Sequence, residues 1–440
     1  MSFDLDKQTQ KDLEIFNEDK DGNSIFSFFN QTKSLGGRNQ LKEIMLNPFS
    51  SLKQIEEHRD SIKFFIDNKI DFEINGNQLD FIAYYLTLNT PILKHNLIDV
   101  FYQRISYLIQ PNKNFYLIKT GIEKIIILLS NVKVELKDLN IELAPDKLKE
   151  KFKLIKLILG KESVNAIINN KKKLSFYSIL KFDSLFRKEM KEQFNFLIAI
   201  IYTFDALQSI SKVKSEKSLA FSTYSSSIKP SIIIDSLYHP FIDDPIKNDV
   251  FINQNQNLVF LTGPNMAGKS TFLKSVGLCV YLSHLGFPVP ASKMETTIYK
   301  GLITTINLPD NMSKGYSHFY SEVMRVKQTA LLIKEKLNVF VIFDELFRGT
   351  NVKDASDASL EVISCLSRIA TSTFYISTHI TEIAKELKAN SNIDFKYFES
   401  SLIDEKPVYS YKIKDGLSEE RMGMYILKNE KISEILNSIA

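Results

Sequence analysis

Gly263-Pro264-Asn265-Met266-Ala267-Gly268-Lys269-Ser270-Thr271 fits G-x-x-x-x-G-K-[ST], the pattern of a phosphate-binding loop. Leu258-Val259-Phe260-Leu261 precedes it, a short apolar run that reads as a buried strand. Phe272 to Tyr281 follows, apolar enough for a helix packed under a sheet. Strand, loop and helix in that order are the context the motif requires. Backbone N–H groups of the Gly-rich turn and of the helix N-terminus then converge on one anion. Lys269 brings a positive charge for β- and γ-phosphates, and Ser270 offers a hydroxyl to Mg2+. A Gly-rich turn with a chance lysine is the plain alternative, and the flanks argue against it.

Two further strand ends carry matching chemistry. Val339-Phe340-Val341-Ile342-Phe343 is a continuous run of β-formers, as expected of a central strand buried on both faces, and it ends in Asp344-Glu345. Asp344 is the candidate magnesium ligand, directly or through water. Glu345 is the candidate base that polarises the attacking water. Thr373-Phe374-Tyr375-Ile376-Ser377 reads as another strand, ending at Thr378-His379. A histidine there can bond the γ-phosphate or the water and so sense hydrolysis. An acidic strand end or a lone histidine is often only surface polarity, and the phosphate loop in the same domain is what raises both. The set Lys269, Ser270, Asp344, Glu345 and His379 predicts hydrolysis of ATP with Mg2+. It argues against a scaffold that binds nucleotide only as a latch.

The rest of the chain bounds the setting. Its 440 residues suggest two or three domains, and 44% hydrophobic content is enough for a real core. A net charge of +4 creates no global basic field, so nucleic-acid contact has to come from a local patch. Cys279 and Cys365 have no metal-type spacing, and with an acidic, non-export N-terminus they suggest a reducing cytoplasmic setting. Ser275 to Ser292 is uncharged but contains His284, Pro288 and Pro290, and reads as buried helix and turn, with no membrane role.

Residues 1–230 read as almost wholly helical, with Leu41, Ile44 and Met45, then Ile62, Phe65 and Ile66, at helical spacing. Asn47-Pro48 closes the first of these helices. Further helices are expected around 79–110, 113–133, 145–159 and 175–215. Phe194 to Phe204 is read as the buried spine of a long helix, and Lys171-Lys172-Lys173 as a solvated loop rather than a nucleic-acid contact. Ser215 to Ser227 is a loop or linker. From Ile232-Ile233-Ile234 onward strands alternate with helices, which means an α/β domain over 231–440. The fold class is therefore α + α/β.

On these residues the chain resembles the MutS family of DNA mismatch repair ATPases. The loop with its Pro264-Asn265-Met266 insert is similar to that family's, with Ala267 where many members have glycine. Asp344 to Asn351 resembles the magnesium strand and following loop, and Ser377-Thr378-His379 the histidine switch. Leu237-Tyr238-His239-Pro240 and Asn248-Asp249 look like the entry to the ATPase domain. Ser24 to Phe65 resembles the start of the core domain, through Gln31 to Arg38, Asn47-Pro48, Ile55 and Arg59. The resemblance implies a mostly helical core and lever domain over 1–230, followed by an ABC-type P-loop ATPase over 231–440. Gly315 to Glu322 resembles the signature segment, whose serine, here Ser317, serves the γ-phosphate of the partner subunit. That implies a homodimer with ATP at a shared interface. Ser317 capping its own helix is the structural alternative.

Three departures shape the expectation. The chain is expected to lack a mismatch-reading domain before the core and a β-rich clamp between 75 and 215, and to leave little room after Asp415-Gly416 for the usual dimer helices. Phe16-Asn17-Glu18 and Phe343-Asp344-Glu345 match the family's mismatch-reading letters by chance. The expected partner is duplex DNA bound with low sequence specificity. The alternative is a MutS-like ATPase acting on branched DNA, RNA or a ribosome or protein complex.

Overall fold

The runs that end at the phosphate loop, the acidic pair and the histidine all lie in one sheet of a computed structural model of the chain. The structure describes residues 3–16, 23–92, 113–169, 174–227, 229–252, 255–306, 318–347, 351–379, 382–403, 406–417 and 432–439. Its helices begin with α1 (Lys7–Asp12), α2 (Ile25–Phe29), α3 (Leu35–Leu46), α4 (Leu52–Asp67), α5 (Gly76–Leu86) and α6 (Lys113–Glu135). They continue with α7 (Asp146–Gly160), α8 (Glu162–Ile168), α9 (Phe176–Ser184), α10 (Lys191–Glu216), α11 (Lys269–His284), α12 (His318–Lys336), α13 (Val352–Leu366), α14 (Glu382–Leu387) and α15 (Ile432–Ile439). The strands are β1 (Asp4–Leu5), β2 (Thr223–Tyr224), β3 (Ile232–Leu237), β4 (Asn248–Ile252), β5 (Leu258–Thr262), β6 (Lys293–Thr296), β7 (Gly301–Thr305), β8 (Val339–Asp344), β9 (Thr373–Ser377), β10 (Ile393–Ile403) and β11 (Lys406–Asp415).

Contacts divide the chain into an α/β unit (Met1–Ser27, Asn47–Glu56, Lys217–Ala440) and a helical unit (Phe28–Leu46, Glu57–Glu216). The division differs from a single cut near 230. It falls after Glu216 because Ala220 already bridges Val289, each N–H bonding the other's carbonyl, and β2 pairs with β6. The first residues join the α/β unit because β1 pairs in parallel with β7, Asp4 opposite Gly301. A two-residue strand has no period for a sequence to display.

In the α/β unit the main sheet runs β1-β7-β8-β9-β5-β10-β11, parallel throughout except for the β10–β11 hairpin. Because β5, β8 and β9 are parallel neighbours, their C-terminal ends share one edge, and ligands of open α/β sheets bind at that edge. Leu258, Phe260, Val341, Phe343, Phe374 and Ile376 form its core. A second sheet, β2-β6-β3-β4, carries the residues that lead into the phosphate-loop strand. α11 is buried nearly all round, which explains why Ser275 onward lacks charge.

Among the described residues between 75 and 215, the helical unit contains helices and no strand. Much of the stretch expected as a helix over 79–110, and Lys171 to Lys173, lie outside the described residues. The α10 helix is long and apolar enough to cross a membrane, but 72% of its apolar window is buried inside the protein. The Gly36-Gly37 pair has a packing reason. A Cβ on Gly36 would lie 2.2 Å from the Tyr202 ring, and one on Gly37 2.2 Å from Asp205 Oδ2. Buried Asp205 accepts from Lys33 N–H and Ser34 N–H, both at 2.9 Å, and from the Ser34 hydroxyl at 2.6 Å, which fixes the start of α3 on α10.

Candidate active site

The phosphate loop joins β5 to α11. Gly263 and Gly268 adopt φ of 141° and 99°, a region that glycine enters without steric cost. Gly268 stands at the N-terminus of α11, so the free N–H groups of the first turn open toward the loop. Lys269 is buried and donates to Gly263 O at 2.8 Å and Pro264 O at 2.9 Å. Burial pulls its ammonium below the usual range, and the carboxylates of Asp344 and Glu345 pull it back up.

The acidic pair sits where β8 ends. Asp344 lies opposite Ser377 of β9 in the ladder. Ser270 Oγ donates to Asp344 Oδ2 at 2.5 Å, and Ser377 Oγ donates to Asp344 Oδ1. Both carboxylate oxygens are thus held by hydroxyls, one from the first turn of α11 and one from the end of β9. Glu345 turns away at φ 56°, with Phe347 at φ 62° two residues on. Non-glycine residues occupy this left-handed region at a cost of about 1–3 kcal/mol, which persists where the surroundings enforce it. Here the Glu345 N–H reaches Ser377 O at 3.1 Å and Ser377 Oγ at 3.3 Å. The turn carries the Glu345 carboxylate to His379, whose Nε2 lies 2.5 Å from Oε1. Thr378 N–H donates to Leu261 O at 3.2 Å, tying this strand end to the phosphate-loop strand.

A cleft of about 580 Å³ opens beside the loop. Asn265, Met266, Gly268, Lys269, Ser270, Thr271 and Glu345 line one part of it, and Tyr238, His239, Ile242, Asn248, Phe398 and Tyr411 line another. Asn248 ties the wall together: its Nδ2 donates to Tyr411 O at 2.9 Å, and Ile413 N–H donates to its Oδ1 at 3.0 Å. Burial pulls the His239 imidazole below its usual range, against Glu14 and with Lys274.

The structure therefore brings Lys269, Ser270, Asp344, Glu345 and His379 to one edge of the sheet. Gly263 to Thr271 form its loop, with Pro264 supplying a carbonyl to Lys269 and Ala267 buried beneath. Ser317 lies outside the described residues, as do Arg348, Gly349 and Thr350; α12 begins at His318. Sequence reasoning missed Ser377 as a partner of Asp344, and Phe398 and Tyr411 as walls of the cleft. These two aromatics come from the β10–β11 hairpin, more than a hundred residues from the loop, and no local pattern links them to it.

Ser270 and Asp344 present a hydroxyl and a carboxylate oxygen at one point, hard donors of the kind Mg2+ takes beside substrate phosphates. Residues 259–438 match the family model of MutS domain V. The DNA mismatch repair protein MutS of Petrotoga mobilis is 31% identical over 235 residues, which cover 52% of this chain and 28% of that protein. The MutS of a Geobacillus strain is 27% identical over 240 residues, covering 52% of this chain and 27% of its own. Human MutS protein homolog 4 is 29% identical over 220 residues, covering 48% and 23%. The matched part thus spans about a quarter of the length of these relatives. The match makes residues 259–438, the part that carries the loop, the acidic pair and the histidine, a domain of the MutS family.

Proposed function

We propose that the chain hydrolyses ATP to ADP and phosphate at this edge, and uses the cycle to switch states bound to duplex DNA. The observation that carries the reading is the pair of contacts on Asp344, one from the phosphate loop and one from β9, with Glu345 and His379 beside it. The loop N–H groups and Lys269 bind the β- and γ-phosphates. Ser270 and Asp344 would hold Mg2+, which would supply charge neutralisation at the phosphates. Glu345 accepts a proton from the attacking water, and His379 orients the Glu345 carboxylate and reports loss of the γ-phosphate. Tyr238, Phe398 and Tyr411 offer flat apolar surface to the base.

Among the described residues the donors stand on one side of the phosphate loop, and charge developing on the γ-phosphate calls for donors on the other. Ser317 of a second copy is the proposed source, so the active form is a homodimer with ATP at its interface. DNA binding through phosphate contacts is sequence-independent and falls steeply with salt.

Two variants test the chemistry. Glu345→Gln keeps ATP binding and loses turnover by about a hundredfold or more, because the magnesium site stays intact while the base is gone. Lys269→Ala weakens binding itself. ATP hydrolysis is measured with matched, mismatched and branched DNA and with structured RNA. Wild-type turnover by Glu345→Gln removes the assignment of the base. Stimulation by RNA alone removes DNA as the partner.

A further inference from the structure

The sequence reading puts residues 3–16 in a helical domain, whereas the structure lays them along the elements that shape the site. β1 extends the sheet beyond β7, with Asp4 N–H donating to Lys300 O at 2.9 Å. The next turn then grips the C-terminal end of β7. Thr304 N–H donates to Thr9 Oγ1 at 2.9 Å, Thr304 Oγ1 to Asp12 Oδ2 at 2.8 Å, and Ile306 N–H to the same oxygen at 2.9 Å. Thr9, Asp12 and Thr304 are all buried.

A second arm reaches α12. Asp6 accepts from Thr9 N–H at 2.8 Å through Oδ1, which caps α1, and its Oδ2 pairs with Arg325. Arg325 donates to Thr305 Oγ1 at 3.2 Å and to Thr304 O at 2.8 Å. Both arms therefore meet on Thr304-Thr305-Ile306. Thr305 pairs with Phe343, the residue before Asp344. Thr305, Ile306, Glu322 and Arg325 share the walls of one small void, about 10 Å³, with Asp344 and Glu345. A third contact joins the strap to α11, where Glu14 Oε1 lies 2.7 Å from Lys274 Nζ.

We propose that Asp6 and Asp12 are positioning residues for ATP hydrolysis: they hold the end of β7 and the first turns of α12 in register with Asp344-Glu345. This rests on the ATPase reading above. The physical reason is that a buried carboxylate oxygen satisfies two donors at a strand end that β1, paired only at Gly301 and Leu302, does not reach. Its loss leaves a buried N–H and hydroxyl unsatisfied and lets the strand end shift. Displacement on the order of 1 Å near a reacting centre costs up to about a hundredfold in rate.

The test uses the full chain. Asp12→Ala removes the shared acceptor, while Asp12→Asn keeps one. Asp6→Ser keeps an oxygen for the Thr9 N–H, so the cap survives, but cannot reach Arg325. The expected result is a fall in kcat of about tenfold for Asp12→Ala and Asp6→Ser, with KM for ATP within about twofold, and recovery of most of the rate in Asp12→Asn. Amide exchange at Ile306 and over Phe319–Val326 quickens in the same two variants. If Asp12→Ala does not fold, Asp6→Ser carries the test. Wild-type kcat in the folded variants, or ATP binding lost in step with rate, overturns the proposal. If the wild-type chain hydrolyses no ATP, the ATPase reading falls by itself. The exchange measurement then still decides whether the strap holds β7 and α12, and unchanged exchange in both variants sinks that role too.

Discussion

The Ser377 hydroxyl donates to Oδ1 of Asp344 across the β8–β9 ladder, so the neighbouring strand holds the carboxylate as well as the phosphate loop does. With Ser270 on Oδ2, the carboxylate plane has little freedom to rotate. Groups that orient a metal ligand in this way typically change metal affinity by about 10–100-fold when removed. Ser377→Ala is therefore expected to raise the Mg2+ concentration for half-maximal hydrolysis by about tenfold, with a smaller change at saturating Mg2+. An unchanged Mg2+ titration would show that Ser270 alone fixes Asp344.

Tyr411 lines the cleft from a backbone at φ 53°, with Asn248 bonded to its carbonyl and to the Ile413 N–H that follows. An aromatic ring against a base contributes about 1 kcal/mol. Tyr411→Ala is expected to weaken ATP binding roughly fivefold in a Glu345→Gln background, with Tyr411→Phe close to the parent. Equal affinities for the alanine and tyrosine forms would place the base elsewhere.

His284 sets an acid limit on the α/β unit. Its Nδ1 lies 2.8 Å from Phe49 O, and its Nε2 accepts the Tyr299 N–H at 3.2 Å, so the neutral ring uses both nitrogens. Burial lowers its pKa from 6.5 to about 4, with the Phe49 carbonyl opposing the shift and Lys300 adding to it. Between those values the unfolded chain binds a proton that the folded chain refuses. Stability is thus full above pH 6.5 and lost as pH falls toward 4, by an amount on the order of 3 kcal/mol. His284→Gln should unfold with a shallower pH slope in urea titrations across that window. Identical slopes would mean the histidine is already charged in the folded protein.

Mixing variants tests the shared site. Neither Lys269→Ala nor Ser317→Ala chains should turn over ATP efficiently alone. In a mixed dimer one of the two sites combines an intact Lys269 with an intact Ser317, so activity should return in part. A rate that ignores both mixing and protein concentration, from a chain that stays monomeric with ATP at about micromolar levels, ends the shared-site proposal.

Sequence by itself determined the parts whose chemistry is local. A phosphate loop needs consecutive residues, because its N–H groups and lysine act from one turn, so Gly263 to Thr271 are legible as written. Val339 to Phe343 and Thr373 to Ser377 are legible because a strand buried on both faces must be apolar along its length, and the polar residues that end it stand out. The helical character of most of the first half follows from apolar spacing in the same way. Tertiary structure decided whatever depends on strand order. Placing β9 between β8 and β5 brings the Ser377 hydroxyl onto Asp344 and His379 onto Glu345, and no spacing in the chain encodes that neighbour relation. The hairpin that brings Phe398 and Tyr411 to the cleft, and the strap that carries Asp6 and Asp12 to β7 and α12, belong to the same class. Their partners lie more than a hundred residues away, and each contact rests on one side chain meeting a backbone end, which leaves no periodic trace in the sequence.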